Sequence, residues 1–176
     1  IEMFLSSLAI KGRVADIGGL FWPVVQRTDE WDVETYHIWD IKKGRNGVVA
    51  NYIHDINKPL HPHQALEGFY DVAFCIEVTD HLWNPVVGFK NINLLLKKGG
   101  MLYVSSNFLF PHHTGFDCIR LTQEGLRKIH TETGFKVIKI LPRIAVDDSL
   151  SKALDLESKV QYSRGEIGYH VVAEKT

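Results

Sequence analysis

The sequence predicts an open α/β sheet, mostly parallel, with helices on both faces. Three observations predict it. The run Val14-Ala15-Asp16-Ile17 breaks at the paired glycines Gly18-Gly19, as a first strand does when its turn must approach a ligand closely. Residues 71–78 are nearly all apolar, the pattern of a strand buried on both faces. Residues 84–96 then place Val86, Val87, Phe89, Ile92, Leu95 and Leu96 on a helical face. Strands alternating with helices build parallel sheets, whose ligands bind outside the carboxyl ends of the strands.

The elements follow in order. Residues 4–10 read as the end of a helix packed on the sheet, 14–17 as strand one, and 24–31 as a short helix or an irregular loop. Residues 34–41, with Tyr36, Ile38 and Ile41, read as strand two. Residues 48–53 read as strand three, ended by the turn Asp55-Ile56-Asn57-Lys58-Pro59. Strand four at 71–78 leads to the helix at 84–96. Lys97-Lys98 complement the negative end of that helix and Gly99-Gly100 stop it. Strand five spans 101–105. Thr122 N-caps a further helix, whose apolar positions include Leu126 and Ile129 and which ends at Gly134. Residues 135–141 and 168–173 are two more strands, and the polar, weakly periodic stretch 147–164 between them reads as mobile.

A chain of 176 residues fits one domain, taken as 1–176, with a core that needs no staples. Hydrophobic residues make up 45% and charged residues 23%, and the net charge of −1 offers no basic field to nucleic acid. No run approaches the roughly 18 apolar residues of a membrane span. The opening residues lack a basic n-region, so a cytoplasmic protein is expected. The start at Ile1 suggests an excerpt of a longer chain. Cys75 and Cys118 stand apart without metal spacing, and Cys75 reads as a buried thiol. His61-Pro62-His63 lacks a third ligand nearby and reads as a structural loop, so no metal is expected.

The strand ends are acidic or polar in succession. Asp16 ends the first, Asp40 the second, Asp55 follows the third, Glu77 lies near the end of the fourth, and Ser105-Ser106-Asn107 follow the fifth. An aspartate at the end of strand two is placed to accept both hydroxyls of a ribose. Asp55, beside Ile56, is placed to accept from an exocyclic amine while the backbone meets a purine edge. The acid precedes the glycines of the first turn by two positions. A nicotinamide fingerprint would instead read G-x-G-x-x-G with its acid about 20 residues later. A nicotinamide-dependent oxidoreductase is therefore disfavoured.

Five segments in order resemble the class I S-adenosylmethionine-dependent methyltransferases over nearly the whole chain. Val14-Ala15-Asp16-Ile17-Gly18 is similar to the family's first motif, and Trp39-Asp40-Ile41 to its ribose-binding strand end. His54-Asp55-Ile56-Asn57-Lys58-Pro59-Leu60 resembles the adenine-side loop. Residues 69–78, continued by Thr79-Asp80-His81-Leu82, resemble the fourth-strand motif, and Leu95-Leu96-Lys97-Lys98-Gly99-Gly100 the turn before strand five. His113, Asp117, Arg120 and Thr122 match an H-x-x-x-[DE]-x-x-R-x-T segment of small methyltransferases, many acting in glycan or secondary-metabolite pathways. The chain departs from the family at Leu20 and Trp22, which stand where it usually has its second and third glycines.

The resemblance implies a doubly wound, Rossmann-like, mostly parallel seven-stranded sheet with the last strand antiparallel. It also implies S-adenosylmethionine as cofactor, held by Asp16, Gly18, Gly19, Asp40, Ile41, Asp55, Ile56 and Glu77. The expected activity is methyl transfer to a small hydroxylated or sugar-like acceptor. Transfer to a hydroxyl needs help removing its proton, for which His112 and His113 come before His81 because imidazole titrates near neutral pH. Asp117 would orient a histidine or hold a substrate hydroxyl, and Arg120 would hold a carboxylate or phosphate. Alternatively Asp117 and Arg120 simply pair across one turn. Trp22, Trp31 and Trp83 either line a substrate mouth or simply pack in the core or at the rim. Expected partners are a small-molecule or glycan substrate and a possible second copy, with no nucleic acid and no membrane. The competing reading is a catalytically inactive methyltransferase-fold module for binding or assembly.

Overall fold

The structure is a computed structural model that describes residues 1–27, 31–61, 66–112, 117–144 and 166–176. His113, most of the His61-Pro62-His63 loop and the 147–164 stretch lie outside them. Seven strands form one sheet in the order β5-β2-β1-β6-β7-β9-β8. These are β1 (Lys11–Ile17), β2 (Asp32–Asp40), β5 (Tyr52–Ile53), β6 (Tyr70–Ile76), β7 (Leu96–Asn107), β8 (Phe135–Ile144) and β9 (Glu166–Lys175). β5, β2, β1, β6 and β7 pair in parallel, and β9 runs antiparallel between β7 and β8. The expected sheet is the observed one.

Helices cover both faces unequally. On one face α2 (Pro85–Leu95) and α3 (Gln123–Glu132) bury Phe89, Ile92, Leu95 and Leu126 against Ala15, Ala73, Leu102, Val104 and Val171. Each such large side chain contributes about 1.5–3 kcal/mol by leaving water. Asn84 and Thr122 cap these helices, each accepting a hydrogen bond from the backbone three residues on. The other face carries the short α1 (Glu2–Ser6), whose Phe4 and Leu5 meet Val14, Val72 and Phe74, and a 3-10 turn over Val24–Arg27. Among the described residues no helix is long and apolar enough to cross a membrane.

Two local expectations are corrected. The third strand is not continuous over 48–53. Asn46 and Gly47, both at positive φ, close a two-residue turn between β3 (Gly44–Arg45) and β4 (Val48–Val49), the backbone that favours Asn-Gly hairpins. Only Tyr52–Ile53 joins the main sheet. Lys97 and Lys98 do not serve the end of α2 either, because the chain turns extended at Leu96 and Lys97 pairs with Asp71. The carbonyls of Asn93 and Leu96 instead accept from Lys175 Nζ of β9, each at 2.8 Å.

Candidate active site

The carboxyl ends of β1, β2, β6 and β7 bring the acids to one edge, where they meet different fates. Asp16 is 1% exposed. Its Oδ2 accepts from the Val24 backbone N–H at 3.0 Å and from the Tyr36 hydroxyl. Burial pushes its carboxyl up to about 6, against those two hydrogen bonds, which favour the ionised form. Gly18 adopts φ +76 and donates to the Trp39 carbonyl at 2.8 Å. A Cβ on Gly19 would stand 2.1 Å from Asp16 Oδ2. The turn is thus folded onto its own acid, and Gly19 is required by that contact. Leu20 is buried with Ile38 and Ala50, while Phe21 and Trp22 are exposed under the guanidinium groups of Arg45 and Arg27.

Asp40 ends β2 half-buried. Its Oδ1 accepts from the Lys42 backbone N–H at 3.1 Å, and no hydrogen bond to Oδ2 is found among the described residues. Ile41 beside it is half-exposed. An open carboxylate oxygen next to an exposed aliphatic side chain suits a ribose hydroxyl and a purine face, so this pair fits the cofactor that the resemblance implies. The next loop is built for rigidity. Asp55 Oδ1 accepts from the Asn57 backbone and side chain, and Oδ2 faces Lys58 at 3.6 Å. Ile56 is buried in the main core, with its carbonyl bound to Asn91 Nδ2 at 2.9 Å. Asn91 also accepts from Leu60 N–H and donates to the Lys58 carbonyl.

Glu77 follows β6 at φ +56, a conformation non-glycine residues rarely adopt. Its N–H donates to Ser105 Oγ at 2.9 Å, and its Oε1 accepts from Ser105 Oγ and from Arg143 Nη1, the latter at 2.7 Å. Arg143 Nη1 also donates to Asn107 Oδ1 at 2.9 Å. Tyr36 and Arg143 are the polar partners that sequence reasoning missed. Strand alternation places Tyr36 on the Asp16 face, and Arg143 lies just past the expected end of its strand.

The proposed acceptor side follows β7. An open pocket of about 310 Å³ is lined by Phe110, His112, Asp117, Cys118, Ile119 and Arg120. His112 is exposed, and the Asp117 carboxylate takes both Nη groups of Arg120, Nη2 at 2.6 Å. His112, Asp117 and Arg120 therefore share one wall, and the arginine is engaged across one turn. His81 does not line this pocket, and its Nε2 lies 4.0 Å from Asp80 Oδ2. The Asp80 carbonyl accepts from Cys118 N–H at 2.7 Å and ties the pocket wall to the β6 end. Trp31 stacks on Phe74 in the core, whereas Trp22 and Trp83 are exposed. Exposed Phe21, Trp22, Ile41, Ile53, Trp83, Phe108 and Phe110 all follow or end strands at this edge.

No protein-family model and no curated protein matches the sequence significantly. Solved structures match it closely in shape. A Mesorhizobium loti S-adenosylmethionine-dependent methyltransferase superposes with a TM-score of 0.70 at 13% identity, covering 98% of this chain and 96% of that one. The [4+2]-cyclase SpnF gives 0.63 at 16%, covering 99% and 79%. A Haemonchus contortus phosphoethanolamine N-methyltransferase, solved in complex with S-adenosyl-L-methionine, gives 0.63 at 14%, covering 96% and 49%. The chain therefore has the fold of the S-adenosylmethionine-dependent methyltransferases.

Proposed function

We propose that this chain binds S-adenosylmethionine over the ends of β1, β2 and β5 and methylates a small hydroxylated or sugar-like acceptor. The observation that carries the reading is Asp40-Ile41 at the end of β2 in this fold. Asp40 takes the ribose hydroxyls, Ile41 packs on the adenine, and the loop held by Asn91 backs the base at Asp55-Ile56. The Gly18-Gly19 backbone and the Glu77 region border the amino-acid end. Asp16 supports that end indirectly, by holding the glycine turn in shape.

The bound sulfonium supplies an electrophilic methyl group and a neutral thioether leaving group. The protein's share is alignment and exclusion of water, and orientation alone contributes on the order of 7–11 kcal/mol. His112 would accept the proton of the acceptor hydroxyl, the bound sulfonium supplying the methyl group that takes its place. Asp117 and Arg120, locked together, shape the pocket wall beside it.

Calorimetric titration with S-adenosylmethionine and its demethylated product tests the cofactor site. Micromolar binding that weakens about tenfold or more in Asp40→Ala, a change of roughly 1.4 kcal/mol or more, is the expected result. No detectable binding at millimolar cofactor overturns it and leaves a non-catalytic binding or assembly module.

A further inference from the structure

Arg143 is a half-used arginine in a built polar lane. It reaches from β8 across β9 at Gly168 to Asn107 and Glu77, and one nitrogen, Nη1, makes both contacts. Nε and Nη2 carry no hydrogen bond among the described residues, although the side chain is only 16% exposed. Gly168 keeps the lane open. A Cβ there would stand 2.3 Å from the Ser106 carbonyl oxygen and 3.4 Å from Arg143 Cδ. His170, two residues on, pairs with Ser105 and Leu141. It is 7% exposed, and its Nδ1 has no partner among the described residues. Burial, then the nearby Arg143 charge, lowers its pKa to about 4, so the ring is neutral near pH 7. Arg120 offers a contrast, since both of its Nη groups are already on Asp117.

We propose that Arg143 anchors an oxyanion of the acceptor, a carboxylate or a phosphate, through the side-on fork of Nε–H and Nη2–H. The acceptor role rests on the methyltransferase reading above. A guanidinium presents two parallel donors matched to such a group, and neither fork nitrogen is a buried donor closed off from solvent, so the fork is open to a ligand. Glu77 and Asn107 hold the Nη1 side, so the fork is pre-oriented before the ligand arrives. Glu77 is itself an anion and repels a second one on its own side. The ligand therefore approaches on the Nε–Nη2 side.

The test is a side-chain NMR titration of the whole chain, without cofactor, using sodium acetate and inorganic phosphate at constant ionic strength. The Arg143 Nε–H resonance, assigned through its side-chain carbons, is expected to shift saturably. Arg143→Lys keeps the charge but loses the fork, and should weaken binding about fivefold or more. Arg127→Lys, on exposed α3, should leave it unchanged. A stronger response to acetate assigns a carboxylated acceptor, and to phosphate a phosphorylated one. An Arg143 resonance that moves no more than that of Arg127, or an Arg143→Lys protein with wild-type affinity, overturns the proposal. The wild-type spectrum decides even if the variant fails to fold. Cofactor binding without an anion response removes the anchor and keeps the methyltransferase. An anion response without cofactor binding retires the acceptor role and keeps only an oxyanion site.

Discussion

The ends of β1 and β2 lie side by side, parallel, and each runs into an aspartate, yet the two acids have opposite surroundings. Asp16 is 1% exposed and bound to Val24 and Tyr36. Asp40 is half-buried and engages one backbone N–H through Oδ1. The difference lies in where the chain goes next. After β1 the glycine turn doubles back, so that Val24 returns its N–H to the acid eight residues earlier. After β2 the chain leaves through the β3–β4 hairpin, whose Arg45 rests on Phe21 at 4.0 Å, and Ile41 stays in the open. An acid at a strand end thus stays open to a ligand only when the following turn does not claim it.

Replacing each acid tests that contrast most strongly. Asp16→Ala strands two donors, one buried and one partly buried, at about 1–3 kcal/mol each, so urea unfolding near pH 4, where Asp16 is protonated, should show a loss of roughly 4 kcal/mol, and a smaller loss near pH 7, where the variant is also relieved of a buried charge. Asp40→Ala should change stability by less than about 0.5 kcal/mol, with its effect appearing in cofactor affinity instead. If Asp40→Ala unfolds the protein and Asp16→Ala does not, the two roles are reversed.

A pH series isolates the charge on Asp16. Its ordinary value is 3.8 and burial raises it to about 6 in the fold. The folded chain therefore holds this proton more tightly than the unfolded chain. The stability it contributes is fully present below 3.8 and is lost as pH rises to about 6, a change on the order of 3 kcal/mol. Two carboxyls act in the opposite direction. Asp71, where burial is outweighed by Lys97 and Arg13, and Glu2, lowered by Arg27, lose their contribution as pH falls. Asp16→Asn removes the one titration and leaves the others. The wild type should therefore lose stability relative to Asp16→Asn between about pH 4 and 6. A constant difference across that range would mean Asp16 is not desolvated as described.

The sheet was legible because its signals are local and repeated. Examples are the apolar 71–78 run, the helical face at 84–96 and the caps at Asn84 and Thr122. The antiparallel run of the last strand came from resemblance rather than periodicity. Residues 48–53 are apolar enough to read as one strand, but the Asn46-Gly47 turn commits Val48 and Val49 to a hairpin with Gly44 and Arg45. The helix-end lysines failed because Lys175, the true partner of those carbonyls, is some 80 residues away in sequence. The site was legible as positions and not as partnerships. Asp16, Asp40, Asp55 and Glu77 do reach one edge, but which of them is already satisfied depends on Tyr36, Asn57 and Arg143. Those contacts form only once the strands pair.

The smallest expected effect is also the most specific to the comparison. Tyr36→Phe removes one hydroxyl from beside Asp16 and leaves the Val24 contact in place. A hydrogen bond to a charged acceptor is worth about 1.5–3 kcal/mol, and one to a neutral acceptor about 0.5–1.5 kcal/mol. Near pH 7, where Asp16 is ionised, the variant should lose about 2 kcal/mol, and near pH 4, where it is protonated, about 1 kcal/mol. The same substitution should push the Asp16 carboxyl above 6, because the Tyr36 bond lowers it. An equal loss at both pH values would show that the hydroxyl serves packing alone. A loss that grows with pH would show that β2 supplies the partner that lets β1 bury an acid, while its own acid stays open beside Ile41.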